Sequence, residues 1–176
     1  MITRKSLPLG REHELKLGVT AIGSEESLLK IPKLDFFESM RQVMKTELVM
    51  VENGAETDIY DPTNPTWDES PILFHAVRRH LPKRPKGSLR LYNANKTSLD
   101  IYHGVDVFFW WREVYVTIDL SLIEKPYRRT VDLVVDLTDM NFEAFDVLGA
   151  QIAEILKQKR EKLKYQKQAK KSIFHI

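Results

Sequence analysis

A chain of 176 residues, 43% of them hydrophobic, suits one domain with a core large enough to need no cross-links. With no cysteine, disulfides, thiolate zinc sites and thiol nucleophiles are excluded, and a reducing, cytoplasmic compartment is the expected home. The net charge of +2 is too small to argue for a polyanionic partner, but the charges are segregated along the chain. No apolar run approaches the about 20 residues of a membrane helix, and residues 1–10 lack the apolar stretch of a signal peptide.

Residues 1–33 show no sustained period and read as an irregular arm or short strands. From Leu34 to Val51 the spacing of Phe37, Met40, Val43, Met44, Leu48 and Val51 predicts a helix, with Asp35 and Glu38 placed as a capping box. The acidic stretch Glu52 to Trp67 contains Pro62 and Pro65 and reads as a loop. Ser70 offers an N-cap ahead of Pro71 for a second helix with Leu73, Ala76, Val77, His80 and Leu81 on one face, stopped by Pro82.

Alternating β-branched and aromatic residues then predict strands over Ser88–Asn93, Leu99–Trp111, Val114–Ile123 and Val131–Leu137, the middle two joined tightly through Arg112-Glu113. Asn141 can cap a last helix whose Phe142, Phe145, Leu148, Ile152, Ile155 and Leu156 face the sheet, the core helix ending near Lys157. Beyond it, eight positive charges against one negative between Lys157 and Lys171 read as a solvated basic tail. The expected fold is therefore α/β: a mixed sheet of about four strands flanked by helices in a single domain over 1–156, with a basic C-terminal helical tail over 157–176.

Alternation puts Tyr102, Gly104, Asp106 and Phe108 on one face of the second strand and Thr117, Asp119 and Ser121 on one face of the third, so both aspartates are expected mid-strand. Neighbouring strands lie about 4.8 Å apart, close enough for two carboxylates to share a divalent cation. Without a cation such a pair pays for repulsion and desolvation, which makes it a candidate site.

Gly104-Val-Asp-Val-Phe-Phe, followed by Val114-Tyr-Val-Thr-Ile-Asp-Leu-Ser, resembles the core of the PD-(D/E)XK nuclease superfamily, the restriction-endonuclease-like fold. The resemblance covers 34–156 and implies an α-β-β-β-α-β order around a mixed sheet, Mg2+ or Mn2+ as cofactor, and Asp106, Asp119 and Leu120 as metal-binding positions. In the family a lysine two positions after the second acid positions or activates the attacking water. Here that position is Ser121, and the implied substitute is Lys125, about 13 Å further along an extended chain unless Pro126 bends it. The link from Ile123 to Thr130 is short for the implied crossover helix.

A nucleic-acid partner, DNA in the first instance, is expected along Arg78, Arg79, Lys83, Arg84 and Lys86, with the tail as a second basic cluster. Small size and a lone domain suit a phage or mobile-element nuclease acting as an endonuclease, and a homodimer would cut both strands. The competing class is a non-catalytic nucleic-acid-binding or assembly protein on a degenerate nuclease-like fold, which Ser121 favours. In a third reading the two aspartates only bond to backbone at a sheet end. The histidines show no zinc-site spacing, no nucleotide-binding glycine motif occurs, and Asp132 and Asp136 read as solvent-facing or capping residues.

Overall fold

The computed structural model describes residues 31–52, 61–66, 69–83, 88–120, 131–136 and 140–173. Asp35 opens the first helix, α1 (Phe36–Glu52), its Oδ1 accepting the Glu38 amide at 2.9 Å. Only this half of the expected box forms, because the Glu38 carboxylate turns to Arg41 at 3.0 Å. Met40 and Val43 are buried, whereas Phe37, expected on the same face, is 58% exposed. The side chains of Leu48 and Val51 lie outside the described ones.

The second helix, α2 (Ser70–His80), starts one residue earlier than expected. Glu69 takes the N-cap position with a near-helical backbone and no side-chain cap, so Ser70 falls inside the helix and is buried. Leu73, Phe74, Ala76 and Val77 form the buried face, while His80, expected among them, is exposed.

Four strands follow: β1 (Leu89–Asn93), β2 (Val107–Trp111), β3 (Val114–Asp119) and β4 (Leu133–Val134), hydrogen-bonded in the order β1-β2-β3-β4. The first three are antiparallel and β4 runs parallel to β3, with Ile118 against Leu133 and Asp119 against Val134. The predicted link from Ile123 to Thr130 lies outside the described residues. The last strand, Leu133–Val134, is shorter than the expected Val131–Leu137, of which Leu137 lies outside the described residues. Along β1, the Leu91 amide points away from β2 and donates to the Pro62 carbonyl at 2.8 Å, laying part of the proline-containing loop on that edge.

The predicted strand over Leu99–Trp111 is divided. Its first part is a short helix, α3 (Ser98–His103). Thr97 caps it by accepting the Leu99 amide at 3.2 Å, and Gly104 ends it at φ 67°, a left-handed conformation that favours glycine. The expected face shared by Tyr102, Gly104 and Asp106 therefore does not exist. The β2–β3 link is the predicted Arg112-Glu113, at φ 51° and 72°, the primed turn that matches strand twist. Neither residue is glycine or asparagine, so each costs about 1–2 kcal/mol in this region.

The sheet separates two apolar layers. One face carries Leu89, Leu91, Val107, Phe109, Val114, Val116 and Ile118 against α2 and the last helix, α4 (Phe142–Ile173). The other carries Tyr92 and Phe108, stacked at 4.9 Å, against Met40 and Val43 of α1 and Leu99 of α3. Full burial of each large side chain stabilises the fold by about 1.5–3 kcal/mol. Asn141 caps α4 as expected, taking the Ala144 amide at 2.9 Å. Phe142 does not face the sheet: it is 65% exposed, with the Arg79 guanidinium over its ring.

The last helix does not stop near Lys157; it runs 32 residues without a break, about 48 Å at 1.5 Å per residue. Nor is its basic part wholly solvated, since Leu163 still packs against the core. No helix among the described residues is long and apolar enough to cross a membrane.

Where α2 crosses α4, Asp146 binds Arg79 at 2.5 Å and His80 at 3.1 Å. The Arg79 hydrogen bond first, and then that of His80, hold the Asp146 carboxyl below its ordinary value of 3.8. A depressed carboxyl contributes stability above its unfolded value and loses it as pH falls through the folded one. Asp146→Asn is therefore expected to be less stable than wild type at pH 7, with the gap closing as pH falls through and below about 4. Urea midpoints at several pH values measure this, and a gap that stays constant down to strongly acidic pH would contradict it.

Candidate functional site

Asp106 and Asp119 both lie at one end of the β2–β3 hairpin. The tight Arg112-Glu113 turn sets the register, pairing Trp111 with Val114 and, further out, Val107 with Ile118. Asp106 is the residue before β2 and Asp119 the last of β3, so both sit at strand ends rather than mid-strand. They are 1% and 0% exposed, and Asp106 Oδ1 and Asp119 Oδ2 are fully withdrawn from solvent.

Backbone bonds lock both residues in place. The Asp106 carbonyl accepts the Ala94 amide at 2.8 Å, and the Asp106 amide donates to the Ile118 carbonyl at 3.0 Å. Ile118 is already the partner of Val107, so two consecutive residues face one, the pattern of a β-bulge, which re-aims a side chain at a strand end. The Asp106 Oδ2 then accepts the amide of Leu120 at 2.6 Å, placing its carboxylate beside the residue that follows Asp119. The Asp119 carbonyl takes the Val135 amide at 2.8 Å, which ties it to the end of β4. Gly104 makes this entry possible, because its left-handed turn ends α3 and sends the chain through Val105 into the bulge.

The structure brings together Asp106, Asp119 and Leu120 and leaves the other predicted residues elsewhere or undescribed. The Leu120 side chain is 1% exposed in the apolar core, so only its backbone can take part in the site. Ser121 and Lys125 lie outside the described residues, as do Arg84 and Lys86. Arg78 and Lys83 are exposed around the end of α2, whereas Arg79 is engaged with Asp146. Among the described residues, no group of three or more His, Asp or Glu side chains is arranged to hold a metal ion.

A second polar cluster forms around Asp132, which the sequence presents as a solvent-facing or capping residue. Asp132 Oδ2 accepts the Thr117 amide at 2.9 Å and its hydroxyl at 3.0 Å, and both Asp132 oxygens receive Lys159 Nζ, at 2.6 and 2.7 Å. Lys159 also donates to the Tyr115 carbonyl at 2.9 Å and lies 4.9 Å from the Tyr115 ring centre. Burial first, and the Asp132 charge second, push the Tyr115 hydroxyl above its ordinary value. Further out, Arg160 reaches the Arg112 carbonyl at 2.8 Å and Glu113 at 2.7 Å, and Lys167 reaches Glu113 at 2.8 Å. Their hydrogen bonds, Lys167 first, hold the Glu113 carboxyl below its ordinary value. Composition alone hid these contacts, because the partners lie far away in sequence.

Comparison with family models, curated proteins and solved structures finds no match to this chain.

Proposed function

We propose that the chain is a divalent-metal-dependent nuclease hydrolysing phosphodiester bonds in DNA, with Asp106 and Asp119 as the metal-holding carboxylates. The observation that carries this reading is the placing of two buried aspartates at one end of a hairpin, with the Asp106 carboxylate on the amide of the residue that follows Asp119. The mixed sheet supports it too, with β2 antiparallel to both neighbours and β4 parallel to β3 in the strand succession that the resemblance implies. The intervening α3 is a departure from that succession.

Two carboxylates without a larger cage fit Mg2+ or Mn2+, since magnesium is commonly held by one or two carboxylates while keeping waters and substrate phosphates. When bound, the cation would supply charge stabilisation at the phosphate and a water of lowered pKa. The chain's own contributions are positional. The Leu120 amide orients Asp106, the bulge aims it past the strand end, and the Val135 amide fixes the backbone of Asp119. Lys125 is the proposed cation beside the attacking water.

A specific contact favours a second reading. The bond from Leu120 to Asp106 is a backbone role that would hold the sheet end whether or not a metal binds. On that account the fold serves as a non-catalytic nucleic-acid-binding or assembly protein. Circular single- and double-stranded DNA incubated with magnesium, manganese or EDTA separates the two. The nuclease reading expects cutting with metal, none in EDTA, and a loss of at least about a thousandfold in Asp119→Ala. Metal-dependent cutting that survives in Asp119→Ala, or no cutting by wild type with either metal, would leave the backbone role as the account of the pair.

A further inference from the structure

Four of the eight basic residues between Lys157 and Lys171 share one side of α4. At 3.6 residues per turn, Arg160, Lys164, Lys167 and Lys171 fall within an arc of about 60°. This arc lies beside the stripe that, through Leu156, faces the core. Past Leu163 the rest of the surface up to Lys170 carries Tyr165, Gln166, Gln168, Ala169 and Lys170, with Tyr165 its one large apolar side chain, so this part of the helix does not have the broad apolar face that a membrane surface takes. The Lys164 and Lys167 side chains are 50% and 54% exposed, within reach of an external ligand.

Two carboxylates already contact this stripe: Glu161, on the same helix, pairs with Lys164, and Glu113 reaches it from the hairpin. The Glu113 carboxylate sits between Arg160 Nη1 and Lys167 Nζ, with contacts of 2.7, 2.8 and 2.9 Å. It is delivered by a turn whose two residues both adopt a left-handed backbone that asparagine and glycine would take more easily. Turn geometry therefore does not account for a glutamate at this position, whereas its charge does. Two cations converging on an exposed carboxylate form the arrangement that receives a phosphate oxygen.

We infer that the Arg160, Lys164, Lys167 and Lys171 stripe binds the phosphate backbone of nucleic acid, and that Glu113 is its internal competitor, displaced when the strand engages. The inference concerns binding alone and does not depend on the metal site: a protein that binds but never cuts would keep it and lose the nuclease reading.

The test is fluorescence anisotropy of the full chain with labelled DNA, single-stranded and duplex, in EDTA across a salt series. Glu113→Gln keeps the size of the side chain and removes the charge, and is expected to tighten binding by about three- to tenfold at low salt, since it unmasks two cations. Lys164→Ala with Lys171→Ala leaves the hairpin contacts untouched, and is expected to weaken binding and make the slope of log K against log salt shallower by about 2. Unchanged or weaker binding in Glu113→Gln would overturn the competitor role, including the case in which lost pinning frays the helix. Unchanged binding in the double lysine variant would overturn the stripe. Equally tight binding to phosphatidylserine vesicles would overturn nucleic acid as the partner.

Discussion

Gly149→Ala is expected to destabilise the protein by about 1–3 kcal/mol, the range for overpacking a filled interior. Gly149 lies on α4 where α2 crosses it, and an added Cβ would fall 2.6 Å from the Ala76 Cβ, 2.7 Å from its carbonyl carbon and 2.8 Å from the Val77 nitrogen. Two of these atoms are backbone, so no rotamer change relieves the clash, and the helices must move apart. Separation would loosen Leu73, Val77, Ile152 and Ala153, all fully buried along this crossing. Alanine's better helix propensity returns about 1 kcal/mol at most, which reduces the loss without reversing its sign. Adding Ala76→Gly should restore little, since the backbone contacts remain. Urea denaturation of wild type and the two variants measures this; a Gly149→Ala protein as stable as wild type would show that the helices can separate at no cost.

Asp106→Ala and Asp106→Asn are expected to part company in stability while agreeing in activity. Alanine leaves the buried Leu120 amide without its acceptor, a loss of about 1–3 kcal/mol. Asparagine can still present an oxygen to that amide, so its fold should hold close to wild-type stability. Both variants lack the negative charge that a cation requires, and under the proposed function both should lose metal-dependent cleavage. Magnesium should raise the thermal midpoint of wild type, by preferential binding to the folded state, and not that of Asp106→Asn. An asparagine variant that cuts as well as wild type would remove Asp106 from the chemistry and leave only its hold on Leu120.

That both aspartates fall at the same end of the hairpin was legible, because a two-residue link leaves little freedom in register. Equal steps outward from Arg112-Glu113 lead to Val107 against Ile118, and the next step would set Asp106 against Asp119 but for the bulge, which turns Asp106 to Ile118. The bulge was not legible, since it follows from the way Gly104 and α3 deliver the chain to β2. That helix was missed for a physical reason: its six residues are too few to show a period, and their alternation mimics a strand. Thr97 before it and Gly104 after it were the available signals, a cap at each end. The core helices were read from spacing with small errors at their ends. Exposed Phe37 and Phe142 show that an apolar residue at helical spacing need not join the buried face. The basic segment was misjudged because Lys159, Arg160 and Lys167 find partners 27 to 54 residues away, and no local pattern announces contacts of that range.

The loop laid along β1 also bears on how copies of this chain can meet. A strand with a free outer edge invites another strand to continue the sheet, whether in a dimer or in an aggregate. Here the outward amide of Leu91 is already taken by the Pro62 carbonyl, and at the opposite side β4 offers only two strand residues. Neither side presents a long ladder for a newcomer to extend. If two copies associate to cut both strands of a duplex, their contact is expected through helices or side chains, and sheet-to-sheet growth is disfavoured at both ends of the described sheet.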